Sequence, residues 1–486
     1  MVVGKKLAIG PGQARKYAGL AADSRDIKAG FLFAAIPGTK GDGASFVGDA
    51  VARGAVAVLG KPEIADVVKA AGAEFIAAEN PRAALAAFAA AFYGSQPTTI
   101  AAVTGTNGKT SITVFLREIW TALGKRAASM GTIGVVTPDR SIKLNNTTPG
   151  PIEVQKILAE VKAEGIDYLA LEASSHGLDQ YRLDGAEIAA VAFTNLTPDH
   201  RDYHPTIEHY LNAKLRLFRD LARDEAAAVV NADSESAPAF IAAAAERGLR
   251  LITVGEQGGG LKLVARIPTL DGQTLDVAHA GTSYRIKLPL AGGFQASNAL
   301  VAAALAIGLG EPAGAVFAAL EHLKGAPGRL EKVAIAASGA PVFVDYAHTP
   351  DALENVLNAL RPHTGRKLVA VFGCGGDRDK AKRSQMGEIA ARLADSVVVT
   401  DDNPRTEQAD VIRREILAGC PDAVEIGDRA DAIRTAVAEL GAGDILVIAG
   451  KGHEAGQIVG STVLPFNDRD EAVKAAVKLG GQECRA

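Results

Sequence analysis

Apolar residues fall into two kinds of segment along this chain. Short runs rich in β-branched residues occur at 100–104 (IAAVT), 168–171 (YLAL), 189–194 (AAVAFT), 342–345 (VFVD), 368–372 (LVAVF), 396–400 (SVVVT) and 445–449 (ILVIA). Alanine-rich stretches of helical character, such as 83–93 and 298–309, alternate with them. Strands alternating with helices predict an α/β architecture with mostly parallel sheets. Turn-rich breaks at 94–97 (GSQP) and 325–328 (GAPG) divide the chain into an N-terminal domain 1–97, a central domain 98–326 and a C-terminal domain 327–486. Three domains suit 486 residues at roughly 150 per domain. Residues 251–290 read as a small β excursion inside the central domain.

Composition narrows the function. Hydrophobic residues make up 48% and charged residues 22%, a globular balance rather than a disordered one. Lysine plus arginine total 52 against 56 aspartate plus glutamate, which excludes the basic footprint of a protein holding nucleic acid by its phosphates. Cys374, Cys420 and Cys484 form neither a zinc pattern nor a disulfide framework, as expected in a reducing cytosol. The opening residues lack a signal-peptide apolar stretch, and the longest apolar run, 83–92, falls short of the ~20 residues that span a bilayer. A cytoplasmic monomer is expected, with small-molecule substrates and no nucleic-acid or membrane partner.

Nearly every polar cluster follows a β run, and ligands of open α/β sheets sit beyond the carboxyl ends of the strands. The clusters of the central and C-terminal domains are therefore expected to form two rims of one cleft. In the first cluster, the strand at 100–104 runs into Gly105, Thr106, Asn107, Gly108, Lys109, Thr110 and Ser111, and then into a helix through Trp120. Glycines let backbone N–H groups converge on phosphate, and the helix N-terminus adds positive potential. Lys109 can reach the β- and γ-phosphates of ATP, and Thr110 can ligate magnesium. The loop is a shortened variant, since GxxxxGK[ST] requires glycine where Val103 stands.

Two further clusters follow the strands at 168–171 and 189–194. One contains Glu172, Ser174, Gln180 and Arg182; the other contains His200, with Lys214 on the next predicted helix. A carboxylate and an imidazole at adjacent strand ends can face a phosphate loop, and Mg2+ prefers oxygen ligands while keeping waters and phosphates. Taken singly, Glu172 reads equally well as a helix N-cap, His200 as a loop histidine and Lys214 as part of a solvated face.

Together, TGTNGKT at 104–110, NNTTPG at 145–150, EASSHGLDQYR at 172–182, FTNLTPDHRDYH at 193–204 and the helix lysine resemble the Mur ligases of peptidoglycan precursor synthesis. The resemblance continues through GRLE at 328–331, DYAHTPDAL at 345–353, GCGGDRDKAKR at 373–383, DDNPRTE at 401–407 and GKGHE at 450–454. It implies an N-terminal α/β domain for a UDP-muramoyl substrate, a central P-loop-type ATPase domain and a Rossmann-like C-terminal domain. It also implies an ADP-forming amide ligase that phosphorylates a carboxylate and lets an amine displace the phosphate. Three substrates must then meet, a reason for one domain to bring the amine to another.

By the same resemblance, Lys109, Glu172, His200 and Lys214 are catalytic, and Thr110, Glu172, His200 and a carbamylated Lys214 hold metal. Carbamylation requires a neutral amine, so the site must depress the lysine pKa or trap the product. Asn298, which opens a predicted helix, joins Arg329 and Asp345 near adenine, ribose or phosphate. Ser24, Thr39, Lys40, Gly41, Asn146, Thr147, Thr148, Ser174, Gln180 and Arg182 match positions for the UDP-muramoyl dipeptide. Thr39 and Lys40 depart from a histidine–glutamine pair found in some relatives. The base that takes the amine proton stays open between His200, His348 and water.

Asp402, Asn403, Pro404 and Arg405 resemble the motif of family members that add meso-diaminopimelate. A guanidinium can grip the distal carboxylate of that amino acid with two parallel bonds. L-Lysine, the alternative acceptor, lacks that carboxylate. Arg378 is a candidate for the other carboxylate, and Glu454, with Gly450 nearby in sequence, for the ammonium group. Rival readings are another ligase on the same scaffold, such as a folylpolyglutamate synthase, and a P-loop ATPase coupled to movement.

Overall fold

In the computed structural model, residues 9–38, 41–200, 203–270 and 272–484 are described. The chain forms two compact units, Met1–Gly259 with Ala304–Pro312, and Gly260–Ala303 with Ala313–Ala486.

The first unit contains two sheets. Strands Gly19–Ala21, Phe31–Ala34, Ala55–Gly60 and Glu74–Ala77 pair in parallel in sequence order. Separate apolar clusters cover each face, one including Leu32, Leu59 and Phe88, the other Phe33, Val58 and Val68. The helix Pro81–Tyr93 seals one side. Asn80 caps it by accepting from the Arg82 and Ala83 N–H groups, and Gly94 ends it at φ +66°, a left-handed turn that a Cβ disfavours.

The larger sheet carries the parallel order Arg250–Gly255, Ala222–Asn231, Ile188–Phe193, Thr99–Thr104, Tyr168–Glu172, Ala127–Gly131. Two short antiparallel strands, Gly134–Val136 and Ser141–Ile142, follow at one edge. Register sets Val103 beside Glu172 and Thr104 beside Phe193, so the loops after all three strands emerge at one edge.

The second unit holds an antiparallel meander, Leu261–Thr269, Gly272–His279 and Thr282–Leu288, so the antiparallel excursion begins after the parallel strand Arg250–Gly255. Its main sheet runs Val424–Glu425, Ser396–Val399, Leu368–Phe372, Ile445–Ala449, Pro341–Asp345, Glu331–Ile335, Gln482–Glu483, parallel except that Glu331–Ile335 runs antiparallel to both its neighbours. Apolar clusters again cover both faces, as parallel strands require.

The seven predicted strands form within one residue of their expected ends. The helix expected to open at Asn298 starts earlier, at Gly293, because Gly292 O accepts from Gln295 N (3.1 Å) and Ala296 N (3.4 Å) and closes a first turn ahead of Asn298. Ala127–Gly131 and Ala222–Asn231 escaped the sequence reading because alanine, not β-branched residues, fills much of them.

Under the central sheet the rings of Phe193 and Phe240 stack at 3.7 Å, both fully buried. Phe240→Ala should cost about 3–5 kcal/mol in urea denaturation.

Candidate active site

Strand Thr99–Thr104 passes through Gly105–Gly108 into helix Lys109–Ala122. Gly105 (φ +146°) and Gly108 (φ +89°) adopt conformations that suit glycine, and a Cβ at Gly105 would lie 1.8 Å from Thr194 Oγ1. The loop is tied to the end of the neighbouring strand. Thr106 N donates to Asn195 O (2.8 Å), Asn107 N to Asn195 Oδ1 (2.9 Å), and Thr194 Oγ1 to Asn107 O (2.6 Å).

Two lysines meet on one carbonyl of this loop. Lys109 Nζ donates to Gly105 O and Thr106 O, both at 2.8 Å, and Lys214 Nζ donates to Gly105 O at 2.9 Å. Lys214 comes from helix Ile207–Arg216, is 1% exposed and lies 4.3 Å from the Tyr210 ring centroid. Burial, and then the nearby Lys109 charge, hold its amine well below the usual lysine range. The Tyr210 hydroxyl closes the group at 3.2 Å from Thr106 Oγ1.

Glu172 ends its strand, and the N-cap of the following helix Ser175–Asp179 is Ser174. The carboxylate is 1% exposed and accepts from Thr132 N (2.8 Å) and Thr132 Oγ1 (3.2 Å). Any Cβ at Gly131 would come within 2.1 Å of it. Thr147, Thr148, Ser174, Gln180 and Arg182 gather here. Thr147 Oγ1 is 3.0 Å from Thr132 Oγ1, and Thr148 Oγ1 donates to Glu172 O (2.8 Å) while accepting from Ser174 N (3.1 Å). Arg182 donates to Thr148 O (2.7 Å) and Gln180 Oε1 (2.8 Å). Asn146 is exposed beside this patch in sequence.

His200 is exposed at φ +52°, its ring 4.9 Å from that of His176. Among the described residues no group of three or more His, Cys, Asp or Glu could hold a metal ion. The donor chemistry suits a different ion, one that keeps waters and phosphate oxygens. Glu172 and Thr110 offer oxygen, and Thr104 Oγ1, at the end of the strand that leads into the glycine loop, is buried with no hydrogen-bond partner among the described residues.

Elsewhere in this unit, Ser24 is buried at the start of the turn Ser24–Asp26. Gly41 O closes its loop by accepting from Gly38 N (2.8 Å). Thr39 and Lys40 lie outside the described residues.

The second unit holds the remaining candidates. Asn298 is buried and donates to Gln295 Oε1 (3.1 Å), whose own amide donates to Arg329 O (2.8 Å). The Arg329 guanidinium sits 4.8 Å from the Tyr346 ring centroid, with a buried Nε that has no hydrogen-bond partner among the described residues. Asp345 accepts from Leu330 N (2.6 Å) and Ala347 N (2.7 Å), yet burial pushes its carboxyl up to about 6. His348 is exposed, with Nδ1 2.9 Å from Tyr346 O.

The strand Ser396–Val399 delivers Asp402–Arg405, all buried but the last, which is half-buried. Arg405 Nη1 donates to Gly376 O (2.8 Å). Thr406 N and Oγ1 donate to Asp377 (3.2 and 2.7 Å), and Asp377 N donates to Glu407 (2.7 Å). The loops carrying Arg378 and Arg405 are therefore laced together, with Arg378 exposed. Asn403 Nδ2 donates to Glu454 Oε2 (3.1 Å). At Gly450 (φ +120°) a Cβ would lie 2.6 Å from Asp402 Oδ2.

Three residues that matter here were missed from sequence. Arg383 is fully buried and forks Glu407 at 3.0 Å through both terminal nitrogens. Arg429 pairs with Asp468 (2.7 and 2.8 Å), both fully buried, and donates to Ala449 O (2.9 Å) and Asp401 O (3.3 Å), the ends of the two motif-bearing strands. Lys451 is 0% exposed and donates to Asn403 Oδ1 (2.8 Å). A cation in a helix or between glycines ordinarily signals a solvated face, so spacing alone gave no sign of burial. At the base of the same loop, Cys374 is buried, donates to Met386 Sδ and has its thiol pushed up to about 12 by burial.

Strand, glycine loop and helix define an α/β protein of the phosphate-loop class. Models of three Mur ligase segments match the chain: the family's catalytic domain at 16–93, the Mur ligase middle domain at 103–306 and the glutamate ligase domain at 328–452. The UDP-N-acetylmuramoyl-L-alanyl-D-glutamate–2,6-diaminopimelate ligase of Bradyrhizobium diazoefficiens is 56% identical over 481 residues, 98% of each chain. The enzyme of that name from Caulobacter vibrioides is 53% identical, over 94% of this chain and 95% of its own. A solved structure of a ligase with this name superposes with a TM-score of 0.74 at 33% identity, covering 96% of this chain and 95% of that one. The chain belongs to the Mur ligase family.

Asp345 gives a pH test. Its folded pKa of about 6 exceeds the unfolded 3.8, so its stabilising effect is full below the lower value and is lost as pH rises through the upper one. Urea denaturation between pH 4 and 7 should show wild type losing stability relative to Asp345→Asn as pH rises.

Proposed function

We propose that this protein is an ATP-dependent, ADP-forming ligase of cytoplasmic peptidoglycan precursor synthesis. It adds meso-diaminopimelate to UDP-N-acetylmuramoyl-L-alanyl-D-glutamate. The observation that carries the acceptor is the Arg405 loop, laced to the Arg378 loop and backed by Asn403 and Glu454. The names of the long-range relatives, which span nearly the whole chain, support it.

The reaction begins when a carboxylate oxygen of the dipeptide attacks the γ-phosphorus of ATP and ADP leaves. The acceptor amine then attacks the acyl carbon, inorganic phosphate leaves, and the amine gives up a proton. The first step brings one anion onto another. Lys109 offsets that repulsion, and the N–H groups of Gly105–Ser111 orient the phosphates. Magnesium, when bound, would neutralise charge on the transferring phosphoryl group, with Thr110, Glu172, His200 and a carbamylated Lys214 as its candidate protein ligands. Lys214 suits carbamylation because burial lowers its pKa well below the usual lysine range, which favours the neutral amine, the form that adds carbon dioxide.

Arg182 and Thr147, Thr148, Ser174 and Gln180 are assigned to the muramoyl dipeptide, with Ser24 and Gly41 assigned to its uridine diphosphate. Arg329, with its unpartnered Nε, is assigned with Asn298 and Asp345 to nucleotide. The segments matched at 16–93, 103–306 and 328–452 support a division into domains 1–97, 98–326 and 327–486. Among the described residues no helix is long and apolar enough to cross a membrane.

Two experiments test the assignment. Phosphate release should require both the UDP-linked dipeptide and diaminopimelate, and Arg405→Ala should lower kcat/KM for diaminopimelate by roughly 10²-fold or more while ATP affinity holds. Undiminished turnover by that variant, or equal use of L-lysine by the wild type, would refute the acceptor. Protein equilibrated with ¹³C-bicarbonate should show a carbamate carbonyl resonance in NMR that Lys214→Ala abolishes.

A further inference from the structure

The loop at 402–405 is held by a hairpin that stands apart from the main sheet. Strands Gly456–Val459 and Thr462–Pro465 form a two-stranded sheet of their own, beyond the segment matched at 328–452. Along one edge this hairpin grips the acceptor loop. Gln457 Nε2 donates to Asp402 O (2.8 Å), and Ile458 N donates to Asn403 Oδ1 (2.9 Å). Arg405 N donates to Ile458 O (3.0 Å), and Gly460 N donates to Arg405 O (2.8 Å). From behind, Lys451 Nζ bridges the two pieces through Gly456 O (2.9 Å) and Asn403 Oδ1 (2.8 Å).

These bonds have directional consequences. Asn403 Oδ1 takes two donors, which orients the amide so that Nδ2 faces Glu454. Both backbone polar groups of Arg405 are spent on the hairpin, which holds the residue at φ +51°, a region that residues with a Cβ disfavour. An Arg405 released from that conformation would send its guanidinium elsewhere. The hairpin does little else for the fold: no residue of 456–465 belongs to the apolar clusters of the C-terminal sheet, and Val459, Val463 and Leu464 are exposed.

We propose that the Gly456–Pro465 hairpin is a specificity clasp, with Gln457, Ile458, Gly460 and the buried Lys451 as positioning residues that hold Asn403, Glu454 and Arg405 ready for an amino acid with a distal carboxylate and ammonium. The clasp acts on the acceptor rather than on the phosphoryl step, and it rests on the reading of Arg405 given above.

The test compares Gln457→Ala, Lys451→Met and Arg405→Ala with wild type, using diaminopimelate and L-lysine as acceptors. Lys451→Met should raise KM for diaminopimelate about tenfold or more, and Gln457→Ala severalfold, with KM for ATP and for the UDP-linked dipeptide within about twofold. The preference for diaminopimelate over L-lysine should fall in both. Gln457 sits on a partly exposed strand, so this variant carries the test if Lys451→Met does not fold. A uniform drop in kcat with unaltered preference would mark a structural role and overturn the clasp. If Arg405→Ala destroys the preference while both clasp variants keep it, the clasp alone fails. If Arg405→Ala keeps the preference, the acceptor reading fails and takes the clasp with it.

Discussion

Parallel register between the central strands is the constraint on which the first unit's chemistry depends. With Val103 beside Glu172 and Thr104 beside Phe193, three chain segments leave the sheet at one edge and share the space beyond it. That crowding is tolerable because position 105 has no side chain; any would overlap Thr194. The same closeness drives two lysine amines onto a single carbonyl. Two like charges in so dry a place are costly, and that cost pulls the pKa of the more deeply buried amine well below the usual lysine range.

The second unit solves a related problem by other means. Two motif-bearing strand ends must keep a set spacing, and a fully buried arginine–aspartate pair spans them, its spare donors taking a carbonyl from each. A buried ion pair is a weak source of stability. With most of its donors engaged, it serves as a spacer, a role that an apolar pair of equal volume could not fill because it would leave both carbonyls without a donor.

Sequence patterning disclosed the strands whose residues are β-branched and the loops whose chemistry is dense. LVAVF at 368–372 and ILVIA at 445–449 were legible because continuous apolar runs of that length suit strands covered on both faces. Ala127–Gly131 was not, since alanine, serine and glycine carry little strand preference and only neighbouring strands hold them extended. The glycine loop and the Asp402–Arg405 loop were legible because each combines residue types that rarely meet by chance. Lys451 and Arg429 stayed hidden because burial is a tertiary property. The positive φ of Tyr181, His200, Leu330, Asp377 and Arg405, all within recognised motifs, was hidden too, because side-chain identity does not announce a left-handed backbone in residues other than glycine.

Cys374 lies at the foot of the Arg378 loop with its thiol pushed up to about 12, so at neutral pH it is almost wholly protonated. Thiolates, not thiols, react with electrophiles and oxidants. Peroxide or an alkylating compound reaching this end of the sheet would therefore meet a buried thiol that yields its reactive thiolate far less readily than an exposed cysteine does.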